Sequence, residues 1–295
     1  MTDFHADDYG LFETQSERIL DCFAHGALTG TSAMPNSPCR EECLRRLPGA
    51  LALTVHLNLM EGRCVAPKEA LPLLVDADGV FRVSFARLLF CALSGKREEY
   101  RRELKMELSA QIHVLLPAIE ARGEALRLDG HAHWHMLPVV FDALMDVIAE
   151  EKLPVRYIRI PREPLGLLLR HLPGLLPFPA INAVKSLLLW LLAGRNLRRY
   201  KKALDGMEKR LFLGVLFSGR FDYEKMRRVL PLAEREAARR GWGLELLAHP
   251  GAVYEEADVR ALTNRDDVAF LTSPNRLREA EALKRIGKEG AAYAG

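Results

Sequence analysis

The sequence predicts an α/β protein in which βα units surround a parallel sheet. Short β-like runs alternate with longer amphipathic helical patterns along most of the 295 residues, which is typical of folds with parallel strands. Hydrophobic residues form 49% of the chain and charged residues 27%, so a large core can form without disulfides. Reactive side chains follow several of the β-like runs, where α/β folds usually collect them.

Six β-like runs end just before a polar residue that could carry chemistry. The residues that follow these runs are Asp7 and Asp8, His56, His131, Arg159, Ser218 and His249. Because parallel strands end at the same edge of a sheet, we expect these side chains to gather there.

Two long helices are predicted between the strands. Residues 98–122 have the periodicity of one helix. Its apolar positions are Leu104, Leu108, Ile112 and Leu115. Pro138 suits a first helical turn and opens a second helix that continues through Glu151.

Residues 164–204 are unusual and are predicted to form a helical insertion within one domain of residues 1–295. A leucine-rich stretch broken by prolines leads into an apolar run and then into a cluster of arginines and lysines. Arg170 and Lys185 keep every apolar run shorter than the roughly 20 residues that a spanning helix needs, so we expect no membrane crossing. Such a helix could lie in a bilayer interface or cover an apolar substrate. We favour a buried helix with a solvated basic end, because apolar runs most often belong to the core.

Charge and cysteine content exclude some classes of protein and favour a cytoplasmic one. The net charge of +3 is small and basic residues are mixed with acidic ones, so no nucleic-acid binding is expected. The five cysteines include no CxxC pair and are best explained as reduced thiols. The N-terminal residues do not have the pattern of a secretion signal.

Three separated segments supply candidate metal ligands. His56 and His131 offer imidazole nitrogens and Asp7 and Asp8 offer carboxylates, a donor set that leaves positions on a divalent ion open for water and substrate. Each has a structural alternative, since Asp pairs often cap turns and a lone His on an apolar strand is often a core residue.

A histidine triple at 131, 133 and 135 is the stronger signal. At strand spacing His131, His133 and His135 would share one face, and packing three imidazoles together without hydrogen-bonding or metal partners costs free energy. A partly exposed His-rich turn is the alternative explanation.

Several motifs follow one another in a characteristic order. They are Ala6-Asp7-Asp8-Tyr9-Gly10-Leu11, His25-Gly26-Ala27-Leu28-Thr29, Val55-His56-Leu57 with Glu61-Gly62, Glu107-Leu108 with Gln111-Ile112, the ten residues that begin at Asp129, Ile158-Arg159 with Arg162-Glu163-Pro164, and Ala248-His249-Pro250-Gly251. In this order they resemble the YdjC-like carbohydrate deacetylases, which include the diacetylchitooligosaccharide and the hopanoid-biosynthesis-associated deacetylases. The ordered set is far more specific than any single motif.

The resemblance implies a distorted (β/α) barrel with one divalent metal ion held by Asp8, His56 and His131. Asp7 would take a proton from the attacking water, and His249 would protonate the departing amine. Histidine and carboxylate ligands suit Mg²⁺ or Zn²⁺, and also Mn²⁺ or Co²⁺.

Further residues of the same motifs could assist the reaction. Arg159 could keep Asp7 ionised through a charge-assisted hydrogen bond, or form a plain structural salt bridge. His133 and His135 could orient a metal ligand or bind substrate, and Arg162 belongs to the same supporting set.

We therefore expect a metal-dependent hydrolase that removes an N-acetyl group from an amino sugar, either free or carried on a lipid. Another metal-dependent amidohydrolase or esterase is one alternative, and a non-catalytic carbohydrate-binding relative is another. His5-Ala6 and Gly130 depart from the Asn and Ser usual in the family, but no predicted ligand is lost. The resemblance also favours a homodimer, and the 164–204 segment allows peripheral contact with the inner face of the membrane.

Overall fold

The computed structural model describes residues 2–171, 173 and 175–294, except for the side chains of residues 92 and 290–294. Its centre is a sheet of seven parallel strands that curls into a half-barrel, so the predicted α/β fold is confirmed. In chain order the strands are β1 Thr2–Tyr9, β2 Gly30–Ala33, β3 Ala52–Leu57, β4 Leu126–Gly130, β5 Val155–Ile158, β6 Arg210–Leu213 and β7 Gly243–Ala248. Across the sheet they follow the order β5-β4-β3-β2-β1-β7-β6.

Helices of very different lengths connect the strands. They are α1 Glu13–His25, α2 Arg40–Arg46, α3 Phe85–Leu89, α4 Arg97–Ala121, α5 Pro138–Glu150, α6 Leu165–Arg170, α7 Ala180–Arg199, α8 Lys201–Leu204, α9 Tyr223–Arg240, α10 Glu256–Ala261, α11 Val268–Leu271 and α12 Asn275–Ala294. Helices α4 and α5 are the two that the sequence predicts. The four apolar positions predicted for α4 are all fully buried.

Five of the six predicted strand ends lie at or next to the carboxyl end of a strand. The sixth is misplaced, because β6 ends at Leu213, five residues before Ser218. Gly214 follows with φ +148°, and a Cβ there would lie 2.7 Å from the Cβ of Leu247. The chain therefore leaves the sheet at this glycine. Strand β2 was not predicted, because its sequence Gly-Thr-Ser-Ala contains no apolar run.

The segment 164–204 forms α6, α7 and α8, so its helical character is confirmed, apart from residues 172 and 174, which lie outside the described residues. The favoured interpretation as a buried helix is wrong for one face of α7. On that face Ile181, Val184, Leu187 and Leu191 are each more than half exposed. No helix in the described part of the chain is long and apolar enough to cross a membrane.

A buried carboxylate ties α7 to α5. Asp142 on α5 is fully buried and accepts two hydrogen bonds of 2.7 and 2.8 Å from Arg195. Arg97 and the hydroxyl of Tyr200 donate to it as well, each at 2.8 Å. Burial opposes ionisation of Asp142, but these donors outweigh it and hold its pKa below the ordinary value.

We expect Asp142→Asn to lower the free energy of unfolding by about 2 kcal/mol near neutral pH, because hydrogen bonds to charged groups contribute about that much. Since the folded-state pKa is depressed, this stability is present above the ordinary aspartate pKa and is lost as the pH falls through the folded-state value. Denaturant unfolding of both proteins should show a constant difference down to about pH 4, which then shrinks. A difference that persists unchanged in strong acid would contradict this role.

Candidate metal centre

Strand β1 delivers two consecutive carboxylates to the carboxyl-terminal edge of the sheet. The pairing of β1 with β2 shifts register between Ala6 and Tyr9. Within this irregularity Asp8 has φ +71°, a left-handed conformation that aspartate tolerates better than most residues. The distortion turns Asp7 and Asp8 towards different partners. Strained backbone of this kind concentrates at functional sites.

Asp8, His56 and His131 meet in a buried cluster. One ligand atom of each lies within 4.8 Å of the other two. Asp8 Oδ1 is 2.9 Å from His131 Nδ1 and 3.4 Å from His56 Nε2. The structure thus brings together the three residues that the sequence predicts as ligands.

His56 has the hydrogen-bonding pattern of a metal ligand. Its Nδ1 lies 2.7 Å from Asp129 Oδ1, so Asp129 accepts the Nδ1 proton and Nε2 is the nitrogen that can bind a metal ion once it has lost its own proton. Nε2 is buried, points at Asp8 and has no hydrogen-bond partner among the described residues. Burial opposes a charge on His56, but Asp129 and Asp7 outweigh it and raise its pKa to about 9. A divalent cation would satisfy the unpaired nitrogen and displace a proton.

A second carboxylate holds His131 from its other side. His131 Nε2 lies 2.8 Å from Asp267 Oδ2. The loop that carries Asp267 is attached to the loop after β3, because Glu61 accepts hydrogen bonds from the backbone N–H groups of Thr263 and Asn264 at 2.7 and 2.9 Å. These contacts fix the orientation of the His131 ring.

Arg159 joins three buried carboxylates. Its side chain is fully buried, and Nη1 lies 2.9 and 2.8 Å from the two oxygens of Asp7. Nη2 lies 2.8 Å from Asp129 Oδ2, and Nε donates to Glu245 Oε1 at 2.5 Å. The hydroxyl of Tyr157 donates to the other oxygen of Glu245. Buried charges require this degree of pairing.

The surrounding cations keep both members of the Asp pair ionised. Burial opposes ionisation of Asp7, but Arg159 outweighs it and the pKa of Asp7 lies below the ordinary value. Burial acts in the same way on Asp8, and His131 outweighs it, so the pKa of Asp8 lies well below the ordinary value.

Helix α12 contributes a residue that sequence reasoning missed. Arg276 is fully buried, and its Nη2 lies 3.0 Å from Asp8 Oδ2 while Nη1 donates to the carbonyl of Gly251 at 2.5 Å. The guanidinium lies 4.5 Å from the centre of the Phe270 ring. The Phe270 ring in turn meets the His249 ring edge-on, with 5.1 Å between their centres. Arg276 therefore links Asp8 to the surroundings of His249.

His249 lies directly after β7, the strand that pairs with β1. Its backbone N–H donates to Glu279 Oε2 at 2.7 Å, and its ring Nδ1 lies 3.7 Å from the same oxygen. The residue is 8% exposed, so solvent reaches part of it. This position sets an imidazole at the strand end next to the Asp pair.

The three histidines after β4 do not share one face, contrary to the prediction. Strand β4 ends at Gly130, and His131–Met136 form a turn of two short helical pieces with a kink between them. Within it Ala132 and His133 have φ values of +48° and +62°, which break any alternation of side chains. A spacing of two residues gives one shared face only within a strand, and the chain has left β4 before the first of these histidines.

His133 and His135 are buried close to the cluster but are not part of it. The His133 ring packs edge-on against Phe212, and His135 Nε2 lies 2.8 Å from the carbonyl of Arg159. Burial lowers the pKa of His133 well below the ordinary value and that of His135 to about 4, so both are neutral. A Cβ at Gly130 would lie 2.8 Å from His135 Nδ1, which gives a structural reason for glycine at this position.

Arg162 lies outside the buried cluster. Its side chain is exposed, and its guanidinium lies 4.4 Å from the centre of the Trp190 ring on α7. Arg162 therefore belongs to the contact between α7 and the chain that follows β5.

Two polar residues on α4 hold the chain that follows His56. Gln111 accepts from the Asn58 N–H at 2.8 Å and donates to the Asn58 carbonyl at 2.6 Å. Glu107 accepts from the N–H groups of Val65 and Ala66 at 3.0 and 2.9 Å. These bonds satisfy buried backbone groups that would otherwise lack partners.

Sequence reasoning missed four residues that shape the cluster. They are Asp129, Glu245, Asp267 and Arg276. Glu245 could have been found, since it interrupts the apolar run Leu-Glu-Leu-Leu of β7 and a charge inside a buried strand needs a partner. Asp267 and Arg276 lie among other charged residues and have no such signal.

Comparison with known proteins identifies similar sequences and a similar fold. The profile of a family described as YdjC-like protein matches residues 4–285. A Yersinia enterocolitica protein named chitooligosaccharide deacetylase is 32% identical over 170 residues, which are 56% of this chain and 62% of that protein. A Danio rerio protein named carbohydrate deacetylase is 29% identical over 163 residues, 54% of this chain and 49% of that protein. The matches thus span less than two thirds of these relatives.

A solved structure has the same fold along nearly the whole chain. It is an Enterococcus faecalis protein provisionally described as a cellobiose-phosphate cleavage protein. The TM-score is 0.65 at 19% sequence identity, with 99% of this chain and 94% of that chain covered.

Proposed function

Because this chain belongs to the YdjC-like family, we propose that it is a metal-dependent hydrolase that removes the acetyl group from an N-acetylated amino sugar. The observation that carries the proposal is the buried cluster of Asp8, His56 and His131, with an unpaired imidazole nitrogen directed at a carboxylate. The names of the relatives from Yersinia and Danio support the class of reaction.

Asp8, His56 and His131 would hold one divalent ion, Mg²⁺ or Zn²⁺, with Mn²⁺ and Co²⁺ as alternatives. When bound, such an ion lowers the pKa of a water molecule and polarises the amide carbonyl. Asp129 and Arg276 would keep ligand side chains in a fixed orientation, and loss of such orienting partners weakens metal binding.

Asp7 is the residue best placed to accept the proton of the attacking water. It adjoins Asp8 in the chain, and Arg159 holds both of its oxygens, so the carboxylate is ionised and its orientation is fixed. Arg159 acts through Asp7 and is a positioning residue in this mechanism.

Cleavage of an amide also requires a proton for the departing nitrogen. His249 is the candidate acid, because it lies at the end of β7 beside the strand of Asp7 and Asp8. Glu279 lies against both its backbone and its ring and can hold the imidazole in place.

His249→Ala should reduce kcat for an N-acetylated sugar by roughly 10²- to 10⁴-fold, the usual contribution of a general acid. An activated aryl acetate ester has a leaving group that needs no proton, so its hydrolysis should change by less than about tenfold. Steady-state kinetics of both substrates with wild type and variant measure the difference. An equal loss on amide and ester would remove the acid role from His249.

Acetate release tests the proposed function. Metal-reconstituted protein should release acetate and a free amine in equal amounts from N-acetylglucosamine, short chitooligosaccharides or a lipid-linked N-acetylhexosamine, and chelator-treated protein should release neither. Release of a different acid from an amide or ester would assign another hydrolase. Saccharide binding without product at full metal occupancy would assign a binding protein.

A further inference from the structure

Positive charge is concentrated in one segment of this chain. Residues 164–204 contain seven arginines and lysines and no aspartate or glutamate. The other 35 basic residues are set against all 39 acidic ones, so the rest of the chain has a formal charge of −4 while this segment has +7. Arg195 and Arg199 pair with Asp142. The exposed cations of the segment that form no salt bridge with any described carboxylate are Arg170, Lys185, Arg198, Lys201 and Lys202.

Helix α7 also exposes apolar side chains. Ile181, Val184, Leu187 and Leu191, here named the apolar face of α7, are 53–62% exposed. Their spacing of three or four residues places them on one side of the helix. Including Leu169 and Leu176, the segment provides six of the eleven large hydrophobic side chains that are exposed among the described residues. Patches of this kind usually mark an interaction surface.

Polar contacts fix the opposite side of α7 against the protein. Hydrogen bonds of 2.9, 2.6 and 2.9 Å join Asn182 to the carbonyl of Ser218, Ser186 to the carboxylate of Glu163, and Asn196 to the carbonyl of Met136. These contacts lie near the start, the middle and the end of the helix. Rotation of α7 to bury its apolar face would break all three, so the exposure of that face is built into the fold.

The same contacts place α7 at the edge of the sheet where the metal cluster lies. Met136 ends the turn that begins with His131. Glu163 accepts hydrogen bonds at 3.0 Å from the N–H groups of Gly214 and Leu216, just after β6. All strands are parallel, so these points belong to the carboxyl-terminal edge of the sheet.

We propose that the apolar face of α7 docks on the surface of a bilayer that contains anionic phospholipids. Apolar side chains would enter the boundary between headgroups and acyl chains, and the exposed cations would contact the anionic headgroups. Since no described helix can span a membrane, α7 would lie in the plane of the interface. A second copy of the chain is a poorer partner, because it would bring together two sets of five cations without salt-bridge partners among the described residues.

The proposal concerns a surface and is independent of the proposed enzymatic activity. Docking through α7 would turn the edge of the sheet that carries the metal cluster towards the lipid surface. A substrate attached to a lipid would then meet the site without leaving the bilayer.

Sedimentation of the full chain with vesicles tests the proposal. The protein should bind vesicles of phosphatidylcholine with about one third phosphatidylglycerol, bind pure phosphatidylcholine much more weakly, and dissociate as salt is raised. The triple variant Arg198→Gln, Lys201→Gln, Lys202→Gln should bind roughly a hundredfold more weakly. The triple variant Val184→Ser, Leu187→Ser, Leu191→Ser should lose at least about tenfold.

A charge-matched control removes cations elsewhere on the surface. Arg228→Gln, Arg235→Gln, Lys288→Gln changes three exposed residues of α9 and α12 and should bind as the wild type does. Circular dichroism of every variant checks that the fold is retained. The proposal would be overturned if the protein did not bind anionic vesicles at low salt, or if it bound neutral vesicles equally well. It would also be overturned if the control variant lost as much affinity for anionic vesicles as the α7 variants. Dimerisation that the serine variant abolishes would overturn it as well, because the face would then be an interface between copies.

Discussion

His131→Ala should bind a divalent ion at least about a hundredfold more weakly than the wild type and should release no detectable acetate. Loss of an orienting partner alone weakens metal sites by roughly 10- to 100-fold, and loss of a ligand should exceed that. His131 lies 2.9 Å from Asp8 and is held by Asp267, so the substitution removes one of the three candidate ligand atoms of the cluster. Calorimetric titration and elemental analysis of the purified proteins measure the effect.

His133→Ala is the matched control for this prediction. His133 belongs to the same turn and is buried like His131, but it contributes no atom to the ligand cluster. The control should keep its metal. Equal occupancy in the wild type and His131→Ala would remove His131 from the ligand set.

Asp7→Asn should retain the metal, and its kcat should fall by roughly 10²- to 10⁴-fold, the range expected for removal of a general base. The amide keeps the shape of the side chain and can still accept a hydrogen bond from Arg159, but it cannot take a proton from water. Metal content and kcat for an N-acetylated sugar are measured on the same preparation.

Glu245→Gln provides the control for Asp7→Asn. Like Asp7→Asn, this substitution removes a carboxylate charge that faces Arg159. Glu245 itself lies within β7 and is not grouped with Asp8 as a candidate metal ligand. This variant should lose much less kcat than Asp7→Asn, because it reaches Asp7 only through Arg159. If Asp7→Asn retained kcat within tenfold of the wild type, or lost its metal, Asp7 would not be the base.

The predictable part of the fold is the part encoded in local patterns. Apolar runs located six strands, and five of these strands end at or next to the predicted reactive residue, because parallel strands present their carboxyl ends at one edge. Strand β2 has no such run, since Gly30 and its polar neighbours are buried between two strands rather than exposed on one face. The orientation of α7 was equally hidden, because it depends on hydrogen bonds to Met136, Glu163 and Ser218, which come from distant parts of the chain.

The residues of the site also divide into those that local sequence patterns predict and those that depend on contacts between distant parts of the chain. Asp8 and His56 are the penultimate residues of β1 and β3, His131 follows β4, and the structure brings the three together as expected. Arg276 contacts Asp8 across 268 positions of the sequence, a separation at which no local signal exists. The histidine triple does not form one face because two left-handed residues turn the chain within it, and side-chain periodicity carries no signal for them.

Acetate release measured as a function of bound metal decides whether the metal centre carries the reaction. Metal-free protein is titrated with one divalent ion while acetate from an N-acetylated amino sugar and metal occupancy are recorded together, for the wild type and Asp7→Asn. Wild-type turnover should rise in proportion to occupancy and reach its plateau at one ion per chain, while Asp7→Asn should bind the same ion and release acetate at least roughly a hundredfold more slowly. Turnover that does not depend on occupancy, or no acetate from any such sugar at full occupancy, would contradict this role of the metal centre.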